Sequence, residues 1–246
     1  EERPFKRRAF EMVKDSDYDR QREEMVREQI EGRGITDERL LEAMRTVPRH
    51  EFVPKARRSR AYRDGPLPIG HEQTISQPYI VAMMTDELGV APDAKVLEIG
   101  TGSGYGAAVL GEMAGQVFTV ERHAELADEA AERLARLGFD NVDVVIGDGT
   151  KGLPDQAPFD GIVATAAGPE VPETLTDQLA EGGRLVMPIG RKFGGQRLVR
   201  VDKRDGELEE TDLGMVRFVP LIGDEGWSDE TDEGSSSPQS LRPFEP

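Results

Sequence analysis

Lys95-Val-Leu-Glu-Ile-Gly-Thr-Gly-Ser-Gly-Tyr105 decides the fold: an apolar run ends in three glycines spaced two apart, and a helix-compatible segment follows. A strand running into a tight turn and then a helix has this signature. Gly100, Gly102 and Gly104 lack Cβ, so the backbone can take positive φ and approach a bound molecule closely. The following helix aims its free amides at the same turn. The stretch reads as a cradle for a cofactor.

Working outward from it, the same alternation repeats. Strands are expected at residues 96–99, 117–120, 142–146, 159–164 and 184–187, with helices at 105–114, 124–137 and 172–179. Leu126, Ala130, Leu134 and Leu137 form the apolar stripe of the second helix. Such alternation builds a parallel sheet with right-handed crossovers and helices on both faces. After Pro188 the helices stop, and 196–202 and 208–219 read as strands around the turn Arg204-Asp-Gly206, which predicts an antiparallel C-terminal pair. The fold class is α/β, a Rossmann-like doubly wound sheet, mostly parallel.

Upstream, Asp17 or Asp19 is placed to cap a helix running to about Glu31, with Met25, Val26 and Ile30 on one face, and Gly32-Arg-Gly34 ends it. Thr36 starts a second helix, apolar at Leu40, Leu41 and Met44, that stops at Pro48. Residues 48–54 and 61–70 are loops punctuated by proline and glycine, long enough to be functional or disordered, and Phe52, Tyr62, Leu67 and Ile69 argue for order. Pro78 suits a first helical turn, followed by Ile80, Met83, Met84 and Leu88. Ser76 or Gln77 then sits at the helix entrance, where capping is the simplest role. The expected division is a helical and loop cap over residues 1–91, a core over 92–223, and an acidic tail over 224–246. That tail is expected to be disordered and its removal after Gly223 to leave activity intact.

In an open parallel sheet, ligands bind beyond the carboxyl ends of the strands. Those ends carry Glu98 with the glycine turn, Glu121, Gly147-Asp148-Gly149 and Thr165-Ala-Ala167. Glu121 follows the turn by about 20 residues, the spacing at which a carboxylate meets both ribose hydroxyls. Asp148 is placed to accept from an adenine amino group. A dinucleotide and S-adenosylmethionine both use this arrangement. The dinucleotide fingerprint is G-x-G-x-x-G, whereas here the spacing is G-x-G-x-G with Glu98 two residues before it, which suits a sulfonium cofactor bearing an ammonium.

Val96-Leu-Glu-Ile-Gly-Thr-Gly-Ser-Gly-Tyr105 resembles the first motif of class I S-adenosylmethionine-dependent methyltransferases. Val47-Pro-Arg-His-Glu-Phe-Val-Pro54, Tyr62 with Leu67-Pro-Ile-Gly70, Gln73-Thr-Ile-Ser-Gln-Pro78, Gly147-Asp-Gly149, Phe159-Asp-Gly-Ile-Val-Ala-Thr-Ala-Ala167 and Phe218-Val-Pro-Leu221 together resemble the protein-L-isoaspartate O-methyltransferase family. The resemblance, over about residues 20–222, implies methyl transfer from S-adenosylmethionine to the α-carboxylate of isoaspartyl residues in damaged proteins and peptides. The ester then closes to a succinimide, and hydrolysis returns some aspartate. By motif, Ser76 takes the active-site serine position. Thr74, Ile75, Glu98, Gly100, Gly102, Gly104, Glu121, Asp148 and Gly149 form the expected cofactor set. Ile69, Thr74, Ser76, Val219, Pro220 and Leu221 form the expected substrate set. Tyr79 stands where many relatives have histidine, which leaves that residue's role without a counterpart. No activating base accompanies Ser76, so it reads as a donor that orients the substrate carboxylate, not as a nucleophile. A methyltransferase for another group, or a cofactor-binding module without turnover, would keep the glycine turn and both acids. An NAD-dependent dehydrogenase fits the glycine spacing less well.

Composition sets the surroundings. The 246 residues hold 48 Asp and Glu against 31 Lys and Arg, for a net charge of −17. That balance disfavours an electrostatic nucleic-acid binder. With no cysteine there is no disulfide, thiolate metal site or cysteine nucleophile, and the three histidines (His50, His71, His123) lie too far apart for a local metal-ligand motif. No apolar run is long enough to span a membrane, and the N-terminus is charged, not signal-like, so a soluble, cytoplasmic monomer is expected. Acids scattered along the whole chain, with Arg well above Lys, suggest a hydrated surface suited to concentrated salt. This halophilic reading predicts a melting temperature that rises with molar KCl; one that falls on adding salt contradicts it.

Overall fold

The computed structural model describes residues 16–228. Nine strands alternate with six α-helices over this range. The cap holds α1 (Ser16–Met25), α2 (Glu38–Thr46), a hairpin of β1 (Leu67–Gly70) and β2 (Gln73–Ile75), and α3 (Pro78–Leu88). The core holds β3 (Lys95–Ile99), α4 (Tyr105–Met113), β4 (Gln116–Glu121), α5 (Ala124–Arg136), β5 (Val142–Ile146), β6 (Phe159–Ala164), α6 (Glu173–Asp177), β7 (Leu179–Gly190), β8 (Gln196–Arg204) and β9 (Glu207–Val216).

The main sheet has the order β5-β4-β3-β6-β7-β8-β9. β5, β4, β3, β6 and β7 run parallel, and β8 and β9 are antiparallel to their neighbours. From β3 the chain winds outward through β4 and β5, then crosses to β6 and winds the other way. The carboxyl ends of β3 and β6 therefore flank the switch point, where a ligand crevice opens.

The central strands read as nearly continuous apolar runs because they are covered on both faces. Val96, Val117, Val163 and Val186 pack against α3, α4 and the cap, in a cluster that also takes in Met25, Leu40, Met44 and Phe52. Leu97, Ile99, Ile162, Leu185 and Met187 form the cluster on the other face with Leu175 of α6. The cap is thus part of the packing of the core.

Local differences from the sequence expectations have physical causes. Asp37, not Thr36, caps α2, accepting the amides of Arg39 at 2.8 Å and Leu40 at 3.3 Å. The first helix passes from α to π geometry over Val26–Ile30 and tightens to a 3₁₀ turn before Gly34 (φ 97°). The loop expected at 61–70 ends in β1, because Leu67 is buried and pairs with Ile75. The helix expected over 172–179 stops at Asp177, since Leu179 is already paired with Phe159. β9 ends at Val216, and the chain leaves the ladder so that Val219 and Leu221 bond with Ala167.

The expected disorder of residues 224–246 does not hold at its start. The Asp224 amide donates to Asp148 at 3.0 Å, the Trp227 indole to the carbonyl of Ala167 at 3.0 Å, and Lys151 pairs with Asp224 at 2.7 Å. Removal after Gly223 would strip all three contacts. The rest of that tail and residues 1–15 lie outside the described residues.

Candidate active site

The glycine turn makes its close approach by backbone conformation. Gly100, Gly102 and Gly104 have φ of 95°, 52° and 86°, and a Cβ at Gly100 would stand 2.5 Å from Thr165 Oγ1. That hydroxyl donates to the Gly100 carbonyl at 2.8 Å, tying the end of β6 to the end of β3. Gly104 leads directly into α4.

Glu121, at the end of β4 and 5% exposed, accepts the Gly102 amide at 2.9 Å and the His123 amide at 3.1 Å. It lines a cavity of about 740 Å³ with Gly100, Gly102, Gly149 and Thr74. A Cβ at Gly149 would run into Ile99, so glycine is required there too. Val219, Pro220 and Leu221 form the far wall.

A second cavity of about 690 Å³ is lined by Ser76, Gln77, Ile80 and Phe218, among others. The two adjoin, sharing Thr74, Thr165, Phe193, Val219 and Pro220. Ser76 is not a helix cap: Gln77 occupies that position, with no side-chain capping bond. Thr74, two residues before Ser76, lines the first cavity together with Gly100 and Gly102.

Five expected site residues line neither cavity, and one of them, Gly104, sits against Ala130 and Leu134 of α5. Glu98 lines neither cavity; it is 1% exposed, lies against Gly106, and accepts the Thr119 hydroxyl at 2.6 Å. Burial pushes its carboxyl up to about 8, against the pull of the Thr119 hydrogen bond and with a further push from Glu121. Ile75, 4% exposed, faces the apolar cluster because its strand neighbour Thr74 takes the cavity side. Asp148 is not a cavity wall: its Oδ1 accepts the Thr150 amide and hydroxyl and its Oδ2 the Asp224 amide. Partial burial raises its carboxyl, but the Asp224 amide, Thr150 and the Lys151 charge outweigh this and hold it below the usual range. Ile69 lines neither cavity and packs on the glycine turn, 3.4 Å from where a Gly102 Cβ would lie. In the substrate set, Leu221 belongs to the first cavity alone.

Arg49 is the residue the sequence reading missed. Fully buried, it donates to the Ala61 carbonyl at 2.8 Å and the Ser76 carbonyl at 2.6 Å, and its guanidinium lies 4.6 Å from the Tyr105 ring centroid. One side chain thus links the cap loop, Ser76 and the first residue of α4. Its signal was an arginine directly after Pro48 in a short segment that ends in the apolar Phe52-Val53. Tyr79 packs under Arg33, 4.9 Å from ring centroid to guanidinium carbon.

The Glu98 shift has a measurable consequence. Between the ordinary value of 4.5 and about 8 the folded state holds a proton that the unfolded state has released. Stability is therefore full below the lower value and is lost as pH rises toward the upper one, by on the order of 1 kcal/mol per pH unit. Glu98→Gln cannot ionise, so its melting temperature should fall less than the wild type's between pH 6 and pH 9. Parallel melting curves across that range would rule out a protonated Glu98.

Comparison with known proteins identifies the family. The family model for protein-L-isoaspartate(D-aspartate) O-methyltransferase matches residues 20–226. The chain is 58% identical over 211 residues to a protein-L-isoaspartate O-methyltransferase of Methanoculleus marisnigri, covering 86% of this chain and 96% of that one. A relative of the same description from Syntrophobacter fumaroxidans is 53% identical, with 85% and 98% covered. Among solved structures, a protein-L-isoaspartate O-methyltransferase superposes with a TM-score of 0.74 at 33% identity, over 83% of this chain and 67% of that one. A Plasmodium falciparum protein assigned to the same activity, in complex with S-adenosyl-L-homocysteine, gives 0.72 at 27%, over 82% and 98%. The chain belongs to the protein-L-isoaspartate(D-aspartate) O-methyltransferase family.

Proposed function

We propose that the two adjoining cavities divide the family's reaction, methyl transfer from S-adenosylmethionine to the α-carboxylate of L-isoaspartyl residues in damaged proteins and peptides. The first cavity fits the cofactor. Gly100, Gly102 and Gly149 let the backbone approach it where side chains would collide, and Glu121 offers a carboxylate at the end of β4. When bound, S-adenosylmethionine supplies an electrophilic methyl: a carboxylate oxygen–carbon bond forms as the carbon–sulfur bond breaks, and its electron pair leaves on the sulfur of S-adenosylhomocysteine. The second cavity takes the peptide, and Thr74, lining both with Ser76 beside it, is the observation that carries this reading.

Chemistry at the second cavity asks little of acids and bases. A carboxyl of pKa near 4 is ionised about a thousandfold over its acid form at pH 7, so no base has to make the nucleophile. Among the described residues, the polar side chains that line that cavity are Thr74, Ser76, Gln77, Thr165 and Arg217. Positioning remains the task, and in well-oriented model systems it supplies up to about 7–11 kcal/mol. Ser76 donates to the substrate carboxylate, Arg49 fixes the Ser76 backbone through its carbonyl, and Phe218, Val219 and Pro220 shield the reacting atoms from water.

The net charge of −17 supports cytoplasmic function in concentrated salt, away from nucleic acid. The organisation we infer is a cap to residue 91, and a core that begins at residue 92 and extends through Ser228.

Labelled S-adenosylmethionine with paired isoaspartyl and aspartyl peptides tests the assignment. The expected product is a base-labile methyl ester on the isoaspartyl peptide alone, and Ser76→Ala should lower turnover about 10- to 100-fold while cofactor affinity persists. Label on both peptides would point to another acceptor, and binding without transfer to a non-catalytic module. Unchanged turnover in the variant would remove Ser76 from the mechanism.

A further inference from the structure

The second cavity differs in charge from the rest of this acidic molecule. Among its lining residues none is acidic, and Arg217 is the one charged side chain. Arg217 follows β9 and is exposed. Other arginines of the β8–β9 hairpin are held by carboxylates: Arg197 by Glu210 at 2.8 Å, Arg200 by Asp202 and Glu87 at 2.7 Å each, Arg204 by Asp202 at 3.5 Å. Among the described residues Arg217 has neither a hydrogen-bond nor an ion-pair partner. A free guanidinium presents a planar fork of donors suited to a carboxylate.

The reacting carboxylate is a poor occupant for that fork. Pairing it with a guanidinium would draw charge from the attacking oxygen, and it belongs at the wall shared by the two cavities. Arg217 precedes Val219 of that wall by two residues, about 7 Å of extended chain. One or two residues of an extended peptide cover the same distance.

Resting on the assignment of this cavity to the peptide, we propose that Arg217 is a specificity residue. It binds a second carboxylate, from an acidic side chain or a chain terminus one or two residues from the isoaspartyl residue. The enzyme then favours damage sites in acidic sequence despite its own negative surface.

Three isoaspartyl peptides separate the sources: one with a neighbouring Glu and an amidated end, one with Gln in its place, and the Gln peptide with a free C-terminal carboxylate two residues from the isoaspartate. All are assayed at one KCl concentration at which the protein is folded. Arg217→Gln should raise KM for the Glu peptide about 3- to 10-fold more than for the amidated Gln peptide, and Arg217→Lys should recover part of the difference. A rise confined to the free-terminus peptide would assign the fork to chain ends. Arg204→Gln removes the same charge at the far end of the hairpin and should not change the ratio between peptides. Equal effects of Arg217→Gln on all three peptides, or the same change in Arg204→Gln, overturn the proposal. Failure of the wild type to methylate even the amidated Gln peptide would bring down the cavity assignment, and the proposal with it.

Discussion

Glu121 accepts the amides of Gly102 and His123 at 2.9 and 3.1 Å, and this pair of bonds joins the end of β4 to the turn that follows β3. The rest of the site depends on that junction. It holds the glycine turn open at positive φ, sets the mouth of the first cavity, and leaves the turn's other side free for Thr165. A buried carboxylate making two charge-assisted bonds to backbone is a stiff joint. Beneath it Glu98 fits only because Gly106 has no Cβ, and it is tolerated there as a largely neutral acid at pH 7. Two glutamates at the ends of neighbouring strands therefore do different work, Glu121 accepting backbone amides at the cavity and Glu98 held protonated in the core.

The sheet was largely legible in the sequence because its signals are local. Apolar strands at 96–99 and 159–164 and the three glycines mark themselves, and the Arg204-Asp-Gly206 turn announces the final hairpin. Thr74 and Ser76 were legible only through their motif, since nothing local says that residues 74–76 return over residues 100–104. Asp148 and Glu98 line neither cavity, and their surroundings were illegible for a common reason. A carboxylate at a strand end looks alike from sequence whether its oxygens face a cavity or are engaged by neighbours, and Thr150, Asp224 and Thr119 engage them here.

Long-range contacts were the illegible part. Arg49 reaches Ser76 across 27 positions and Asp224 reaches Asp148 across 76. Composition suggested that residues from 224 onward were free, because their acidity is the mark of a solvated tail. Trp227, the chain's one tryptophan, was the signal against that reading at its start: its indole closes on Ala167 beside the first cavity. The cap is likewise no appendage, since Met25 and Met44 share an apolar cluster with Val96 and Val186.

The central claim is that the two cavities meet at a junction lined by Thr74, Thr165, Phe193, Val219 and Pro220, with the cofactor on one side and the peptide on the other. A crystal structure with S-adenosylhomocysteine and an isoaspartyl peptide bound together tests it most directly. The account predicts the cofactor sulfur in the first cavity and the peptide α-carboxylate in the second, facing the sulfur directly through that junction and within hydrogen-bond reach of the Ser76 hydroxyl. A peptide carboxylate bound remote from Ser76, or a cofactor lying outside the cavity of Gly100 and Glu121, would contradict it.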